Sequence, residues 1–424
     1  MKRYRNMAVI AAVTTLSLGI FYTKVATSES KQPNFYLATE KGNSKEVKNI
    51  VLNAGYNKNG IDNNLRITTS GSEYRNSNLI FDQFNTNFFE IQKLNDLQKE
   101  EKNYMRGKTL SSGFYIDKNY IWYADARGKH AGYNEKNNGY KLYIDGMDRQ
   151  NKDRFKFKLD IPKEEEYSYI NVEDIQLIGK EIVVTTYQNK TNFSDNHNGN
   201  MNEVVDQNER VMYRINVSQK KIVETKVFNL SKNEGNIHTD VQTTGSSDPT
   251  QPNNYFVYME MESKNTVQQN GDSTSELIRS DLHVINMKTG KDEPLNLSKE
   301  QLEIAKQSEL MLDSNFLYIV NRNDKGQTVL KYSLERKMLD GEPIKINIPL
   351  QKKETMINNM ILKGKLYMYP TSTGESVSSS NGMVIIIDLS DGKVIYEGRV
   401  KLKNTKEHNM ELVKKLYFYD LRIQ

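Results

Sequence analysis

Apolar residues along this chain come in short runs, and the runs recur. One phrase, a polar residue or Lys followed by aliphatic and aromatic residues, reads Asn119-Tyr120-Ile121-Trp122-Tyr123, Glu181-Ile182-Val183-Val184-Thr185, Asn254-Tyr255-Phe256-Val257-Tyr258 and Asn315-Phe316-Leu317-Tyr318. Lys365-Leu366-Tyr367-Met368-Tyr369 and Lys415-Leu416-Tyr417-Phe418-Tyr419 complete the series, with a fainter copy at Asn64-Leu65-Arg66-Ile67-Thr68. The copies are spaced by 50 to 73 residues. A second phrase, an alternating strand and a tight turn, follows most of them: Met212–Asn216 before Ser218–Lys221, Leu282–Asn286 before Lys288–Lys291, and Val384–Asp388 before Ser390–Lys393. Leu142–Asp145 and Leu330–Ser333 are looser relatives. β-Branched and aromatic runs bounded by Gly, Asp, Asn and Ser are strand and hairpin signals.

Each unit therefore reads as strand, turn, strand, longer connection, strand, tight turn, strand. Four antiparallel strands repeated at about 50 residues is the spacing of a β-propeller blade. The count predicts an all-β fold, a seven-bladed β-propeller over residues 34–424. A ring also removes the open edges of a flat sheet. The unit at Leu416–Arg422 is two strands short, and Phe35–Ala38 with Asn49–Leu52, joined by a polar turn at Lys41–Lys45, is expected to supply a hairpin that completes it. Two β-sandwiches in tandem are the alternative; a linker near the middle would mark them, and none is evident. One helix is expected, Ser298 to Ser308, opening on a capping pattern. In this repeat the chain resembles the exported seven-bladed propellers of the broad WD40/YVTN-like class over residues 34–424. The likeness is architectural: no Trp-Asp dipeptide closes a unit, no Gly-His opens one, and Trp122 is the only tryptophan.

The N-terminus adds a location. Lys2, Arg3 and Arg5 (in a basic region, 1–6) precede an uncharged apolar stretch over 7–23, closed by Lys24. A basic segment before an apolar run is the export pattern, and positive charge stays on the cytoplasmic side. The stretch is expected to be a signal-anchor helix or a signal peptide, followed by a linker over 24–33. The expected place is the cell membrane, single-pass with the C-terminal domain outside, or secretion if the segment is cleaved. Cysteine is absent, which excludes disulfides, thiolate metal sites and a lipidated N-terminal Cys.

Composition changes this picture little. The net charge of +5 is a small excess, and no Lys/Arg cluster interleaved with aromatics lies beyond the first six residues, so nucleic acid is not an expected partner. The histidines His130, His197, His238, His283 and His408 share no motif, His283 reads as packed in a strand, and no cofactor or metal is expected. Ser194–Gly199 hints at a calcium loop, but its twelfth position is Val205 where a bidentate acid is needed. Asp125, Asp195, Asp206 and Asp272 are the carboxylates that could serve an enzyme acting on an envelope polysaccharide. The informative feature is loop length. Connections between second and third strands, 124–140, 186–210, 260–279 and 370–381, are long and polar, whereas those between third and fourth strands are tight. Long loops on a rigid scaffold are where binding concentrates. Asp125, Arg127 and His130, just after the Trp122 strand, are the candidate contact residues. The expectation is a membrane-anchored binding or scaffolding propeller, not an enzyme, that meets a membrane or cell-envelope protein or polymer through its long-loop face. The alternatives are the polysaccharide enzyme, with carboxylates near the central channel, and a ligand sensor for a membrane kinase or transporter.

Overall fold

The apolar runs are strands, and those from Tyr120 to Tyr369 are covered on both faces. The computed structural model describes residues 32–58, 61–75, 91–128, 139–191, 206–230, 233–234, 236–244, 252–267, 273–323, 326–347, 356–371, 382–403 and 410–423, together with 10, 12–17 and 19. In the strand Phe316–Asn323, Leu317 and Ile319 join one hydrophobic cluster while Tyr318 and Val320 join the next. Side chains alternate across a strand, so a run without polar breaks means a neighbour on either side. Ile182 and Val184 against Val183, and Leu366 and Met368 against Tyr367 and Tyr369, divide in the same way.

Six antiparallel sheets stand among the described residues. The first pairs Leu416–Ile423 with Ile50–Lys58, Ile61–Ile67 and Ser72–Arg75. The second holds Phe114–Ile116, Tyr120–Arg127, Lys141–Asp148 and Arg154–Asp160. Tyr169–Ile178, Glu181–Thr191, Asp206–Asn216 and Lys221–Leu230 form the third. The fourth runs Asn233–Glu234, Ile237–Thr244, Tyr255–Val267, Ser273–Asn286 and Lys291–Pro294. Glu309–Asp313, Phe316–Asn323, Gly326–Ser333 and Met338–Leu339, with Ile344–Ile346 beside them, make the fifth. The sixth carries Met356–Leu362, Lys365–Thr371, Met383–Asp388, Val394–Leu402 and, outermost, Phe35–Gly42. Shared clusters join the second sheet to the third, the third to the fourth, the fourth to the fifth, the fifth to the sixth and the sixth to the first. Successive small antiparallel sheets packed face to face in chain order are the arrangement of propeller blades.

The count and the closure differ from the sequence expectation. The copies at Asn64 and Lys415 lie in one sheet, so the described residues form six sheets where seven were expected. The expected closing hairpin does not form. Phe35–Gly42 pairs with Val394–Leu402 in the sixth sheet, and Ile50–Lys58 pairs with Leu416–Ile423 in the first. Between them Asn43 donates its N–H to Ile395 O (3.1 Å) and a 3-10 turn over Ser44–Val47 carries the chain to the next sheet. An apolar run signals a covered strand, not its place within a sheet. Six copies of the phrase are flanked on both sides, but the one at Leu416 is an edge strand.

On the face of the second sheet turned away from the third, the cover is helical. Helices α1 (Gln92–Glu100) and α2 (Lys102–Met105) set Leu94, Leu97, Tyr104 and Met105 against Phe114, Ile121, Tyr123 and Met147. The expected capped helix is α3, Lys299–Lys306, with Ser298 and Gln301 closing a reciprocal capping box. In the N-terminal segment the described residues are helical, with Ile10, Val13 and Leu16 exposed, and no helix among the described residues is long and apolar enough to cross a membrane.

Gly146 faces Trp122 across the second sheet, and a Cβ there would lie 2.2 Å from the indole. A strand glycine of this kind marks a close approach. Gly146→Ala is expected to displace the ring and cost about 1–3 kcal/mol by overpacking. Because Trp122 is the only tryptophan, an emission change read alongside the urea midpoint reports on this contact directly.

Candidate functional site

The tight turns share one face and the second-to-third connections the other. Arg214 Nη2 donates to Met287 O (2.7 Å), Lys337 pairs with Glu293, and Gly364 N–H donates to Asp313 Oδ2 (2.8 Å). These bonds tie first-to-second and third-to-fourth turns of neighbouring sheets, from the third through the sixth, to one another. In antiparallel sheets those turns lie at one end. The opposite end carries the long connections.

Two of those connections begin and end as strands. The third sheet's central pair stays in register out to Thr191 opposite Asp206, and the fourth sheet's stays paired, past one register shift, out to Val267 opposite Ser273. Of the stretches read from sequence as loops, 260–279 is therefore largely β-ribbon, and 186–210 is ribbon at both ends, over 186–191 and 206–210. Polar residues on both faces hid them, since a ribbon standing in solvent lacks the apolar pattern of a strand. In the fourth sheet, 264–266 and 274–279 are exposed on both strands. The chain arrives on this same face: Phe35 lies opposite Leu402, and Met383 opposite Arg399, so Phe35 sits at the end of the sixth sheet that carries the 372–381 connection.

Of the sequence-predicted contact residues, Asp125 and Arg127 come together as an ion pair, Nε to Oδ2 at 2.6 Å. Arg127 Nη2 also donates to Gly107 O (3.2 Å), and its guanidinium lies 5.1 Å from the centre of the Tyr143 ring. Both groups are spent on each other and on the sheet, as a surface pair is. His130 lies outside the described residues, as do Asp195, Asp272 and the Ser194–Gly199 segment. Asp206 is described only through its backbone pairing to Thr191. His283 is packed: it stacks on Tyr258 at 5.0 Å, with Nδ1 3.4 Å from Asp292, and that carboxylate raises its pKa. Among the described residues no three His, Asp or Glu side chains gather as a metal site would require.

The carboxylates with the most altered chemistry lie elsewhere, on first strands. Asp174 is the ladder partner of Thr185, accepts from Gln176 Nε2 (3.0 Å), and has its pKa pushed up to about 7 by burial, with neighbouring Glu173 adding to the rise. The Glu173 carboxyl is raised by burial too, against the pull of Arg210, whose Nε is 3.4 Å away. Arg210 itself lies over the Tyr187 ring at 5.0 Å. Gln176 Oε1 accepts from Asn253 N–H (2.8 Å), which ties this strand to the fourth sheet. Glu309, on the fifth sheet's first strand, accepts from Asn359 Nδ2 (2.9 Å) and is likewise raised by burial. Sequence reasoning looked for acids in loops and passed over Val172-Glu173-Asp174-Ile175. The signal was two adjacent acids inside an apolar run.

Asp174 yields a signed prediction. Its carboxyl titrates higher in the folded chain than in the unfolded one, so it costs stability as pH rises from the ordinary 3.8 through about 7. Asp174→Asn is expected to change little at pH 4 and to stabilise by about 1–3 kcal/mol at pH 8. Urea titrations at the two pH values read the difference; an equal effect at both would contradict it.

No family model matches this chain, and no curated protein matches it. Solved structures do resemble it. An uncharacterized protein, lmo1340, from Listeria monocytogenes is 8% identical with a TM-score of 0.30, over 68% of this chain and 82% of that one. A Synechocystis apocarotenoid oxygenase mutant is 9% identical at a TM-score of 0.43, over 89% and 94%. The β-propeller domain of the Trilobed protease from Pyrococcus furiosus, described as having an open velcro topology, is 11% identical at 0.22, over 68% and 83%. At these TM-scores the likenesses carry no weight for what this chain does.

Proposed function

We propose that this chain is a binding or scaffolding propeller held outside a bacterial membrane by its N-terminal segment, and that its ribbon face docks a membrane or cell-envelope partner. The observation that carries the reading is the asymmetry of the two faces. One has tight turns tied to each other; the other has two ribbons reaching past the sheets, on the side where the chain arrives from its apolar N-terminal segment. Ribbons braced at the base by well-packed sheets present side chains at low ordering cost, which favours recognition. The ten-residue linker over 24–33 reaches at most about 35 Å, so an anchored chain would keep this face near the bilayer.

The test is crosslinking and pull-down from intact membranes, with the full-length chain and a version in which the connections 192–205 and 268–272 are cut to short turns. Loss of a specific envelope partner in the trimmed version is the expected result. If every crosslinked partner survived the trimming, the binding face would have to be sought elsewhere. An enzyme acting on an envelope polysaccharide remains the second reading, because the Asp174 carboxyl, with a pKa of about 7, is suited to giving and taking protons near neutrality. Turnover of a cell-wall polymer that disappeared in Asp174→Asn would favour it.

A further inference from the structure

The ribbon of the fourth sheet carries a discontinuity that its neighbours lack at that point. Along the ladder Glu262 faces Arg279, but the next residue, Ser263, faces Leu277, so Ile278 has no partner across the ribbon. A bulge of this kind interrupts the alternation of faces and re-aims side chains. It falls where two large aliphatic residues follow each other, and both stand in solvent, Leu277 at 45% and Ile278 at 53% exposure. Scattered single exposed aliphatics are ordinary; two consecutive ones brought together at a bulge in a solvent-standing ribbon ask for cover.

The surrounding charges lean acidic, with Glu260, Glu262, Glu276 and Asp281 against Lys264 and Arg279. Lys264 faces Glu276 in the ladder, and Arg279 pairs with Asp281. The pair thus has an apolar centre with a mildly acidic rim, suited to the boundary between acyl chains and zwitterionic headgroups and not to a strongly anionic surface. What places a bilayer within reach is the chain itself. Phe35 begins on this face, and the residues before it lead back through a short linker to the apolar stretch 7–23. A tether turns even a weak contact into an intramolecular one at high effective concentration.

We infer that Leu277 and Ile278 seat in the headgroup layer of the bilayer that holds the N-terminal segment, so that the ribbon fixes the tilt of the propeller over the membrane. This rests on the anchored reading above. The chain has no cysteine, so Leu277→Cys gives a single site for an environment-sensitive dye. Lys288→Cys, in the exposed tight turn at the opposite end of the same sheet, is the control. Each labelled full-length chain is reconstituted into phosphatidylcholine vesicles and floated on a density gradient.

The expected result is flotation of both, with a blue shift, gain in emission and protection from iodide at position 277 and none of these at 288. If the chains float but the dye at 277 stays in water, the lipid contact is wrong while anchoring stands. If neither floats, the contact and the anchored reading fall together. Should position 277 respond in native membranes but not in pure lipid vesicles, a membrane protein covers the patch and the lipid assignment is overturned. Ile278→Asp, with the dye kept at 277, is expected to abolish the blue shift without preventing flotation; an unchanged shift would show that the dye, not the ribbon, had sought the bilayer.

Discussion

Asp145→Asn is expected to lower stability at pH 7.5 by about 3–5 kcal/mol, the cost of stranding a buried charge. Asp145 Oδ2 accepts from Lys108 Nζ (2.7 Å) and Arg154 Nη2 (2.6 Å), and Oδ1 accepts from Arg154 Nε (2.9 Å). The Lys108 side chain is only 3% exposed and packs over the Tyr104 ring at 3.9 Å. Tyr104 in turn donates its hydroxyl to Asp145 O (2.8 Å), so this one residue fastens α2 to the second sheet by both backbone and side chain. Without the carboxylate, Arg154 can turn to solvent but Lys108 cannot. The sign with pH is fixed. Burial opposes ionisation of Asp145, but its bonds to Arg154 and Lys108 outweigh it and hold the pKa below the ordinary value. The stabilisation is therefore present above the unfolded carboxylate pKa and lost as pH falls through the folded one. Urea midpoints of parent and variant should converge toward pH 3. Adding Lys108→Met to Asp145→Asn should recover part of the loss, because it removes the stranded charge. A double variant no better than the single would place the cost elsewhere.

Phe35→Ala is expected to cost about 3–5 kcal/mol, the range for emptying a buried aromatic site. Phe35 is fully buried, and its ring centre is 5.6 Å from that of Tyr56. The first ring belongs to the sixth sheet and the second to the first sheet, so the void would open along the seam between them. Seam opening differs from global unfolding in what it exposes. Limited proteolysis of the variant should cut first near 41–49, between the two N-terminal strands, at denaturant concentrations where Trp122 emission is still native. Simultaneous loss of both signals would mean that the seam has no independent opening.

These residues show which levels of the structure can be read from a string of letters. Burial is written in composition, so the phrase ending in Trp122-Tyr123 and its relatives at Glu181, Asn254, Asn315 and Lys365 mark strands that are indeed covered on both sides. The helix after Ser298 was legible because its cap is local chemistry. Position within a sheet is not local. Leu416–Tyr419 carries the same phrase yet occupies an edge, because its place depends on which partner comes from the far end of the chain. Helices α1 and α2 were passed over although Leu94 and Leu97 sit at helical spacing, since the other seven residues of α1 are polar or charged and dilute the pattern. The candidate pair Asp125 and Arg127 was found as neighbours, but proximity in sequence said nothing of their satisfaction by each other. Conversely, Asp174 looks ordinary as a letter and is altered only by what surrounds it.

The pairing that joins the first sheet has a consequence for how the protein is made. Asn53 Nδ2 donates to Asp420 Oδ2 at 2.9 Å across a separation of 367 residues. Chains leave the ribosome, and cross a membrane, from the N-terminus onward. The strand 50–58 therefore emerges well before its partner over 416–423, with strands of all five other sheets between them. Until then one edge of that strand is open, and Leu52, Leu65 and the rest of the seam cluster lack Leu416, Phe418 and Leu421. Contacts this distant in sequence are slow to form, and partly closed β-structures expose edges that invite pairing and cleavage. A chain interrupted anywhere before its last strand would thus carry an unlatched sheet. Arrival of the strand 416–423 becomes a property that a protease can read directly.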